Sequence, residues 1–298
     1  MSSYLESNAR QRLRGLFDAG SFTEFLPPAE RIVSPHLAQL DAPVAFDDGV
    51  IVGTAALDGK PVFAAAQEGG FMGGAVGEVH GAKLVGLLRR AVVDHARAVV
   101  LLLETGGVRL HEANAGLIAV SEVMRAVLDA RAAGIPVIVL VGGSNGAFGG
   151  MGIVARCANA VVISEEGRLA MSGPEVIETA NGVEEFDSRD RALVWRTTGG
   201  KHRYLLGDAQ AIVPDTLAAF RQAAIEAIAA CRGQAVELTL EALEREQQLL
   251  AARIGDFGAL PDPFDIWTSL GLPQAGAIPM LEIADFIAAA APHRLGAA

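Results

Sequence analysis

The stretch LLLETGGVRLHEANAGL, residues 101–117, decides the fold. An apolar run ends at Glu104 and Thr105, two glycines follow at Gly106 and Gly107, and a helical pattern begins after a polar turn. A short, wholly apolar run is typical of a strand that is buried on both faces of a parallel sheet. Glycines directly after such a strand leave backbone N–H groups that no side chain covers. The stretch therefore predicts a buried strand that ends at an open backbone surface, where a ligand can bind.

The same order of elements recurs along the chain. IPVIVLV, residues 135–141, is a second buried apolar run, and a glycine-rich segment at 142–152 follows it. Residues 49–68 predict two strands joined at Asp58-Gly59, since Asp-Gly between apolar runs favours a hairpin. FMGGAVGEVHG, residues 71–81, is a further glycine-rich loop that leads into a helical pattern. The repetition predicts an α/β fold, a superhelix of stacked ββα units with flanking helices.

Helical patterns surround the predicted strands. We expect an amphipathic helix at 6–19 with its arginines on one face, and a second helix at 112–132. One face of that second helix is predicted to carry Leu117, Val120, Met124, Val127 and Leu128. Ser172 as N-cap and Pro174 in the first turn predict a further helix start.

The C-terminal part of the chain has a different composition. From about residue 208 the sequence is Ala-rich and predicts mostly helix, with a Pro/Gly loop segment at 254–272. No low-complexity linker separates this region from the rest. We therefore expect residues 1–298 to form a single domain with a helical C-terminal region.

Composition argues against several classes of protein. The formal net charge is −11, whereas a nucleic-acid surface usually shows a basic stripe. Residues 132–155 carry no charge, but Pro136, several glycines and Ser144-Asn145 interrupt them, so we expect no membrane span. Cys157 and Cys231 form no Cys-x-x-Cys motif, and no two histidines have metal-ligand spacing. We expect a cytoplasmic protein with no metal site, since the first residues also lack an apolar signal-peptide core.

Two glycine pairs are the candidate catalytic groups. Gly106-Gly107 and Gly149-Gly150 each follow a predicted strand and precede a predicted helix. A helix N-terminus presents unpaired N–H groups and a partial positive charge, which suit an anion or an oxyanion formed during a reaction. The alternative is that the glycines only permit tight packing of strand on helix. The Rossmann and Walker A fingerprints are absent, which argues against nucleotide binding through those motifs.

Candidates for acid–base chemistry are less specific. Glu104 lies at the end of the first buried strand, and Arg109, His111 and Glu112 follow it closely. His111 has the chemistry to donate a proton, and it fits equally well as a turn cap or a solvated side chain. No G-x-S-x-G elbow is present, so a hydrolase triad is not expected.

Four ordered motifs give the chain a family resemblance. FMGGAVGEVHGAKLVGLLRRAV, ETGGVRLHEANAGL, GGSNGAFGGMGIVARCANAVVIS and AMSGPEVIE together resemble the carboxyltransferase branch of the crotonase-like superfamily. The likeness covers most of residues 8–220. Within this branch, residues 197–216 and the absence of a four-cysteine zinc ribbon fit the beta subunits of biotin-independent malonate decarboxylases better than the carboxylases.

The resemblance implies an activity and a set of partners. Members of this family act on a malonyl thioester and release CO2, which leaves an acetyl thioester on an acyl-carrier protein, the delta subunit. The carrier bears a phosphoribosyl-dephospho-CoA prosthetic group, and no cofactor is expected on this chain itself. A homologous gamma subunit would complete the active site, and an alpha subunit would transfer the acyl carrier.

Site residues follow from the same resemblance. The backbone of Gly106 and Gly107 is assigned to the enolate oxygen, and Gly149 and Gly150 to the same pocket or to the end nearer the leaving carboxylate. The substrate-binding positions implied by the motifs are Gly73, Gly74, Val108, Arg109, Ala147 and Phe148.

Three other functions remain open at this point. One is a carboxyltransferase half that works with a biotinylated partner in an acyl-CoA carboxylase. Another is a hydratase or isomerase, which requires a pair of catalytic carboxylates that the loops do not visibly supply. The third is a catalytically silent subunit that only holds a carrier-protein complex together, although such a subunit would tolerate side chains at the glycine pairs.

Overall fold

The core of the protein is a seven-stranded mixed sheet whose strands follow one another in sequence order. The computed structural model describes residues 2–39, 41, 46–234, 239–272 and 274–296. The first three strands pair antiparallel and the remaining pairs are parallel. The strands are β1 (Thr23–Phe25), β2 (Val50–Leu57), β3 (Lys60–Gln67), β4 (Val99–Leu103), β5 (Val137–Val141), β6 (Ala160–Ser164) and β7 (Ala211–Val213). The predicted α/β class is confirmed.

Helices cover both faces of this sheet. They are α1 (Ala9–Leu16), α2 (Pro35–Gln39), α3 (Glu78–Val93), α4 (Ala115–Ala132), α5 (Gly150–Cys157), α6 (Pro174–Asn181), α7 (Arg191–Thr198), α8 (Gly200–Leu205), α9 (Leu217–Cys231), α10 (Leu240–Phe257), α11 (Pro263–Ser269) and α12 (Ile283–Ala290). None of the helices in the described ranges combines the length and apolar character needed to cross a bilayer.

Strand β4 shows why the apolar runs become central strands. Val99, Leu101 and Leu103 pack on the α3–α4 side, while Val100 and Leu102 pack on the side of α1 and α9. Successive side chains of a strand point to opposite faces, so a strand that is covered on both faces must be apolar throughout. The predicted hairpin also forms, and Asp58 and Gly59 at its turn both have positive φ, 54° and 67°.

A second layer of pairing lies beyond the strand ends. Single parallel bridges join Val76 to Val108, Thr105 to Ala147, and Ala147 to Leu169. Each parallel unit therefore consists of a long strand, a one-residue bridge in the second layer and a helix. The predicted ββα repeat is present with its second strand reduced to these bridges.

Several predicted helix details are wrong. The first helix spans only Ala9–Leu16, and its arginines do not share one face, because Arg12 is buried. At 100° per residue, a two-residue step places Arg12 opposite Arg10. On α4, Leu117 and Leu128 are exposed, and Val123 and Ala126 complete the buried face instead.

Two further boundaries differ from the prediction. Helix α6 begins at Pro174, but its N-cap is Gly173 rather than Ser172. The expected Pro/Gly loop at 254–272 contains the end of α10 and all of α11. Asp262 caps α11 by accepting from the Phe264 N–H, and Pro263 occupies the first helical position, where proline is favoured.

Buried polar contacts hold the C-terminal helices to the sheet. The Lys201 ammonium donates to Glu165 and to the backbone carbonyls of Pro279 and Leu281. On the next residue of α8, the His202 Nδ1 accepts from the Trp267 indole N–H at 3.1 Å. The sequence Lys201-His202 therefore anchors the chain segment around α11.

A buried ion pair joins α1 to the end of β4. The Arg12 guanidinium donates to the Glu104 carboxylate, and both side chains are almost completely buried. The Arg12 Nε also donates to the Tyr4 carbonyl at 2.9 Å. If one partner were removed, no water could solvate the remaining buried charge, so the loss would be costly.

We expect Arg12→Ala to lower the free energy of unfolding by about 3–5 kcal/mol, because it leaves the Glu104 charge buried and unpaired. Urea denaturation of the purified chain measures this difference. Arg10→Ala on the same helix is the matched control, since Arg10 pairs with Glu24 and Asp48 at a partly exposed site. Its cost should stay within about 1 kcal/mol, and equal costs for the two variants would contradict the role given to the buried pair.

Candidate active site

Three loops meet at the carboxyl ends of β3, β4 and β5. The Gly106 N–H donates to the Gly73 carbonyl at 2.9 Å, and the Phe148 N–H donates to the Thr105 carbonyl at 3.0 Å. A Cβ placed on Gly149 would lie 3.1 Å from the Gly107 Cα. The structure thus brings together residues that are up to 77 positions apart (73 to 150), namely Gly73, Gly74, Gly106, Gly107, Val108, Ala147, Phe148, Gly149 and Gly150.

Close backbone approach explains two of these glycines. Gly74 has φ 71°, and a Cβ there would lie 1.9 Å from the Glu104 carbonyl oxygen. Gly149 has φ 62° and faces the Gly107 backbone. Positive φ and a neighbouring main chain together exclude any larger residue at both positions. At these two positions, glycine is therefore required for close packing of one loop on another, as the alternative explanation proposed.

The first glycine pair does not begin a helix, contrary to the prediction. Helix α4 starts only at Ala115, after a short 3₁₀ turn at Leu110–Glu112. The Gly106 N–H is bonded to Gly73, and the Gly107 N–H donates to the Thr105 Oγ1 at 3.1 Å. The two N–H groups assigned to the enolate oxygen thus already have acceptors within the protein.

The second glycine pair does begin a helix, as predicted. Helix α5 starts at Gly150 with Gly149 as its N-cap. The Gly149 N–H donates to the Met171 carbonyl at 2.8 Å. No group in the described ranges accepts from the Gly150 N–H, which belongs to the first turn of the helix. A Cβ on Gly150 would lie 2.4 Å from the Val120 Cγ1, so glycine also permits α5 to pack against α4.

Val108 supplies a further open N–H group. Val76 donates to the Gly107 carbonyl at 2.9 Å and accepts from the Arg109 N–H at 3.0 Å. In a parallel bridge of this kind, the residue between the two partners turns its own N–H away from the bridge. Within the described part of the chain, the Val108 N–H has no acceptor, and Val108 is half-buried.

Arg109 has a different environment from the one expected of a substrate-binding residue. Its guanidinium donates to Asp47 and Glu112, and its Nε donates to the Ala75 carbonyl at 2.9 Å. The side chain is buried, so these bonds occupy it within the protein. Arg109 ties the loop after β4 to the segment around Asp47, and the Arg109 guanidinium lowers the pKa of the Asp47 carboxyl, although burial opposes the shift.

The acid–base candidates differ in burial. Glu104 is buried and accepts from Arg12, from the Ser144 hydroxyl at 3.1 Å and from the Asn145 N–H at 3.3 Å. Glu112 is buried as well and accepts from Arg109 and the Glu78 N–H. These carboxylates hold loops in place. His111 lies on the surface of the 3₁₀ turn.

Reasoning from sequence missed the residues that position the loops. Arg12, Asp47 and Arg168 lie far from the glycine pairs in sequence and in no motif of their own. Arg168 donates to the Ser144 carbonyl, and its guanidinium carbon lies 5.6 Å from the centre of the Phe148 ring. Each of the three has another charged residue within two positions, so no isolated charge marks them in the sequence.

Comparison with known proteins identifies the family. The model of the carboxyl transferase domain matches residues 6–212, a range that contains every residue of the three loops. The chain belongs to the carboxyl transferase domain family. The matched range ends near β7, so helices α9 to α12 lie outside it.

Several individual proteins are similar to this chain over most of its length. The malonyl-S-ACP:biotin-protein carboxyltransferase MADC of Malonomonas rubra is 46% identical over 74% of this chain and 73% of its own length. A Pseudomonas malonate decarboxylase hetero-tetramer in complex with malonate contains a chain that is 40% identical, with TM-score 0.78 over 88% of this chain and 95% of that one. A Pseudomonas MdcD-MdcE hetero-dimer gives 38% identity and TM-score 0.67, covering 85% and 97%.

The carboxyl transferase domain buries two histidines without charge. Burial lowers the pKa of His80 to about 3, with Arg109 and Lys83 adding to the shift and Asp47 opposing it. Burial also lowers the pKa of His202 well below its usual value. No group of three or more His, Cys, Asp or Glu residues in the described ranges is placed to hold a metal ion.

His80 should make stability depend on pH. Below about pH 6.5 the unfolded chain takes up a proton at this histidine, whereas the folded chain does not until about pH 3. The stabilisation that comes from burying a neutral His80 is therefore complete above about pH 6.5. Below that pH, the free energy of unfolding decreases by about 1.4 kcal/mol for each pH unit. Chemical denaturation of His80→Gln between pH 6.5 and 4.5 should show a shallower slope than the unaltered chain. His111→Gln, at the surface, serves as control, and an unchanged slope in the His80 variant would contradict this account.

Proposed function

We propose that this chain is the subunit of a malonate decarboxylase that holds the acyl thioester while CO2 is lost. The observation that carries the proposal is the pair of open N–H groups, on Val108 and Gly150, at the meeting point of three loops. The substrate would be a malonyl thioester on a carrier protein, and the products an acetyl thioester and CO2. The relatives named above act on malonate or its thioester, which supports the substrate class.

The chemistry requires a stabilised oxygen anion. When the bond between the α-carbon and the carboxylate breaks, its electron pair passes to the thioester and leaves an enolate with charge on oxygen. Donors aimed at that oxygen accelerate the reaction only if they bind it more strongly in the transition state than in the substrate. Backbone N–H groups fixed by a bridge and by a helix start are suited to this, since they need no reorganisation.

The N–H groups proposed to bind the enolate oxygen differ from those expected from the sequence. Val108 replaces Gly106 and Gly107, whose N–H groups are bonded within the protein. Gly150, expected in the same pocket or nearer the leaving carboxylate, becomes the second donor, and the partial positive charge at the start of α5 adds to it. Gly107 leaves open space beside these loops, since no atom lies within 4 Å of a Cβ at this position. Val108 thus changes from a lining residue to a donor.

An exposed apolar surface next to the loops supports a shared active site. Leu110, Leu117 and Ile118 follow the first glycine pair and are 85%, 56% and 62% exposed. Exposed apolar groups clustered in this way are typical of a protein interface. We propose that a homologous gamma subunit covers this surface, and that the carrier protein and its prosthetic group enter between the two subunits. The hetero-tetramer and hetero-dimer of the Pseudomonas relatives support such an assembly.

A second candidate function is transfer of the carboxyl group to biotin on a partner protein. The 46% identical relative from Malonomonas rubra carries out a reaction of this type according to its name. The same enolate and the same donors would serve, because the carboxyl group leaves the thioester in both reactions. In one reaction the carboxyl group becomes attached to biotin, and in the other it leaves as CO2. The enolate carbon takes up a proton in both cases.

The function is tested by co-expressing this chain with its homologous subunit, the carrier protein and the acyl-carrier transferase. The purified complex should release labelled CO2 from a malonyl thioester, and added avidin should leave the rate unchanged. Inhibition by avidin would overturn the biotin-independent reaction in favour of the second candidate. A complex that assembles and binds thioester but neither loses CO2 nor carboxylates added biotin would overturn both.

Gly107→Ala tests the oxyanion site. No atom lies within 4 Å of a Cβ at this position, so the new methyl group would project into the space beside the donors. We expect decarboxylation by the assembled complex to fall by about 10²–10³-fold, the loss typical of a damaged oxyanion site. Gly59→Ala is the matched control, since Gly59 also has positive φ and open space at its Cβ but lies in the β2–β3 hairpin. If both variants keep full activity, the proposed oxyanion site is wrong.

A further inference from the structure

Thr105 links the two loops that carry the proposed oxyanion donors. Its backbone N–H donates to the Gly146 carbonyl at 2.8 Å, and its carbonyl accepts from the Phe148 N–H at 3.0 Å. These two bonds hold the loop that leads to Gly150. The side-chain hydroxyl of Thr105 bonds instead to Gly107. The main chain of Thr105 therefore supports the loop of one donor, and its side chain supports the loop of the other.

The Thr105 hydroxyl makes two hydrogen bonds to the same residue. It accepts from the Gly107 N–H at 3.1 Å and donates to the Gly107 carbonyl at 3.2 Å. That carbonyl also accepts from the Val76 N–H at 2.9 Å. A carbonyl oxygen has two lone pairs and can accept both bonds. The Gly107 carbonyl is thus held by one side-chain donor and one main-chain donor.

The orientation of the Gly107 carbonyl determines the direction of the open Val108 N–H. The two groups belong to one planar peptide unit, and in a trans peptide the C=O and N–H bonds point in opposite directions. Donors that fix the carbonyl on one side of the loop therefore aim the Val108 N–H at the other side. Hydrogen bonds to the carbonyl also polarise the peptide unit, which strengthens its N–H as a donor.

The loop needs this support, and the surroundings of Thr105 suit it to the task. Gly107 has φ 140° and no Cβ, so its own backbone restricts the peptide very little. Thr105 is fully buried, and its branched side chain has few accessible rotamers. Precision matters here, because displacing a group at an active site by about 1 Å can cost about 10²-fold in rate.

We propose that Thr105 is a positioning residue for decarboxylation. Its hydroxyl fixes the peptide between Gly107 and Val108 so that the Val108 N–H faces the enolate oxygen. Thr105 acts through this peptide and not on the substrate. The inference rests on the proposed function, because the Val108 N–H is the donor assigned there to the enolate oxygen.

Thr105→Val removes the hydroxyl and keeps the branched shape of the side chain. In the assembled complex, kcat for CO2 release should fall by about 10–100-fold with little change in KM, because a misaimed donor weakens binding of the transition state. Thr105→Ser keeps the hydroxyl and should restore most of the activity. Thr198→Val is the matched control, since the buried Thr198 hydroxyl donates to the Val194 carbonyl at 2.8 Å within α7. This control should leave kcat unchanged.

The same variant distinguishes between two donors of this loop. Thr105→Val leaves the Gly107 N–H without its acceptor, so that this group becomes free to bind an oxyanion. Unchanged or higher activity of the variant would therefore overturn the inference and favour the Gly107 N–H as the donor. A rise in KM with kcat unchanged would also overturn it, since that is the effect of lost substrate binding.

A measurement without turnover separates this inference from the proposed reaction. In a chain labelled with ¹³C at glycine carbonyls and ¹⁵N at valines, NMR detects the coupled pairs of the Gly-Val steps at 49–50, 107–108 and 182–183. Gly107→Ala identifies the signal of 107–108 by removing it. The Gly107 carbonyl signal should shift in Thr105→Val, return in Thr105→Ser and stay in place in Thr198→Val.

The two readouts together decide the outcome. An unshifted Gly107 carbonyl signal in Thr105→Val would overturn the inference, whatever the activity of the complex. A shifted signal with full activity would overturn it as well, because the hydroxyl would then hold the peptide without assisting the reaction. If the signal shifts but the unaltered complex releases no CO2, only the proposed reaction is overturned.

Discussion

The buried pair of Arg12 and Glu104 is the interaction on which the site depends. Glu104 lies directly after β4, and its carboxylate also accepts from Ser144 and Asn145 in the loop after β5. Its backbone N–H donates to the side chain of Gln67 at the end of β3. One carboxylate and its backbone thus connect α1 with three neighbouring strand ends. The charge is stable at this depth only because all of these groups satisfy it.

The same carboxylate explains glycines that carry no chemistry. A Cβ at Gly69 or Gly143 would lie within 2.5 Å of the Glu104 carboxyl group. The loops before and after the site can therefore approach Glu104 only without side chains. Once they are fixed, the bridge from Val76 to Val108 and the start of α5 determine which N–H groups remain open. The open N–H groups are thus those that the packing of these loops leaves without an acceptor.

The C-terminal helices extend the family domain on one side. Lys201 and His202 hold the α11 segment by hydrogen bonds to main-chain carbonyls and to Trp267. These anchors leave a cavity with aromatic walls rather than a filled core.

The sequence by itself determined the α/β class, the buried strands and the family, because apolar runs and glycine spacing are local signals. The family resemblance assigned these glycines to one site, and the structure brings them together. Only the tertiary structure decided which N–H groups are open, since the bonds of Gly106 and Gly107 to Gly73 and Thr105 depend on loops brought together by folding. It likewise decided that Arg109 is an internal ion-pair residue, because Asp47 is 62 positions away in sequence. Long-range pairing of polar groups leaves no periodic pattern in a sequence, and that is the physical reason for the division.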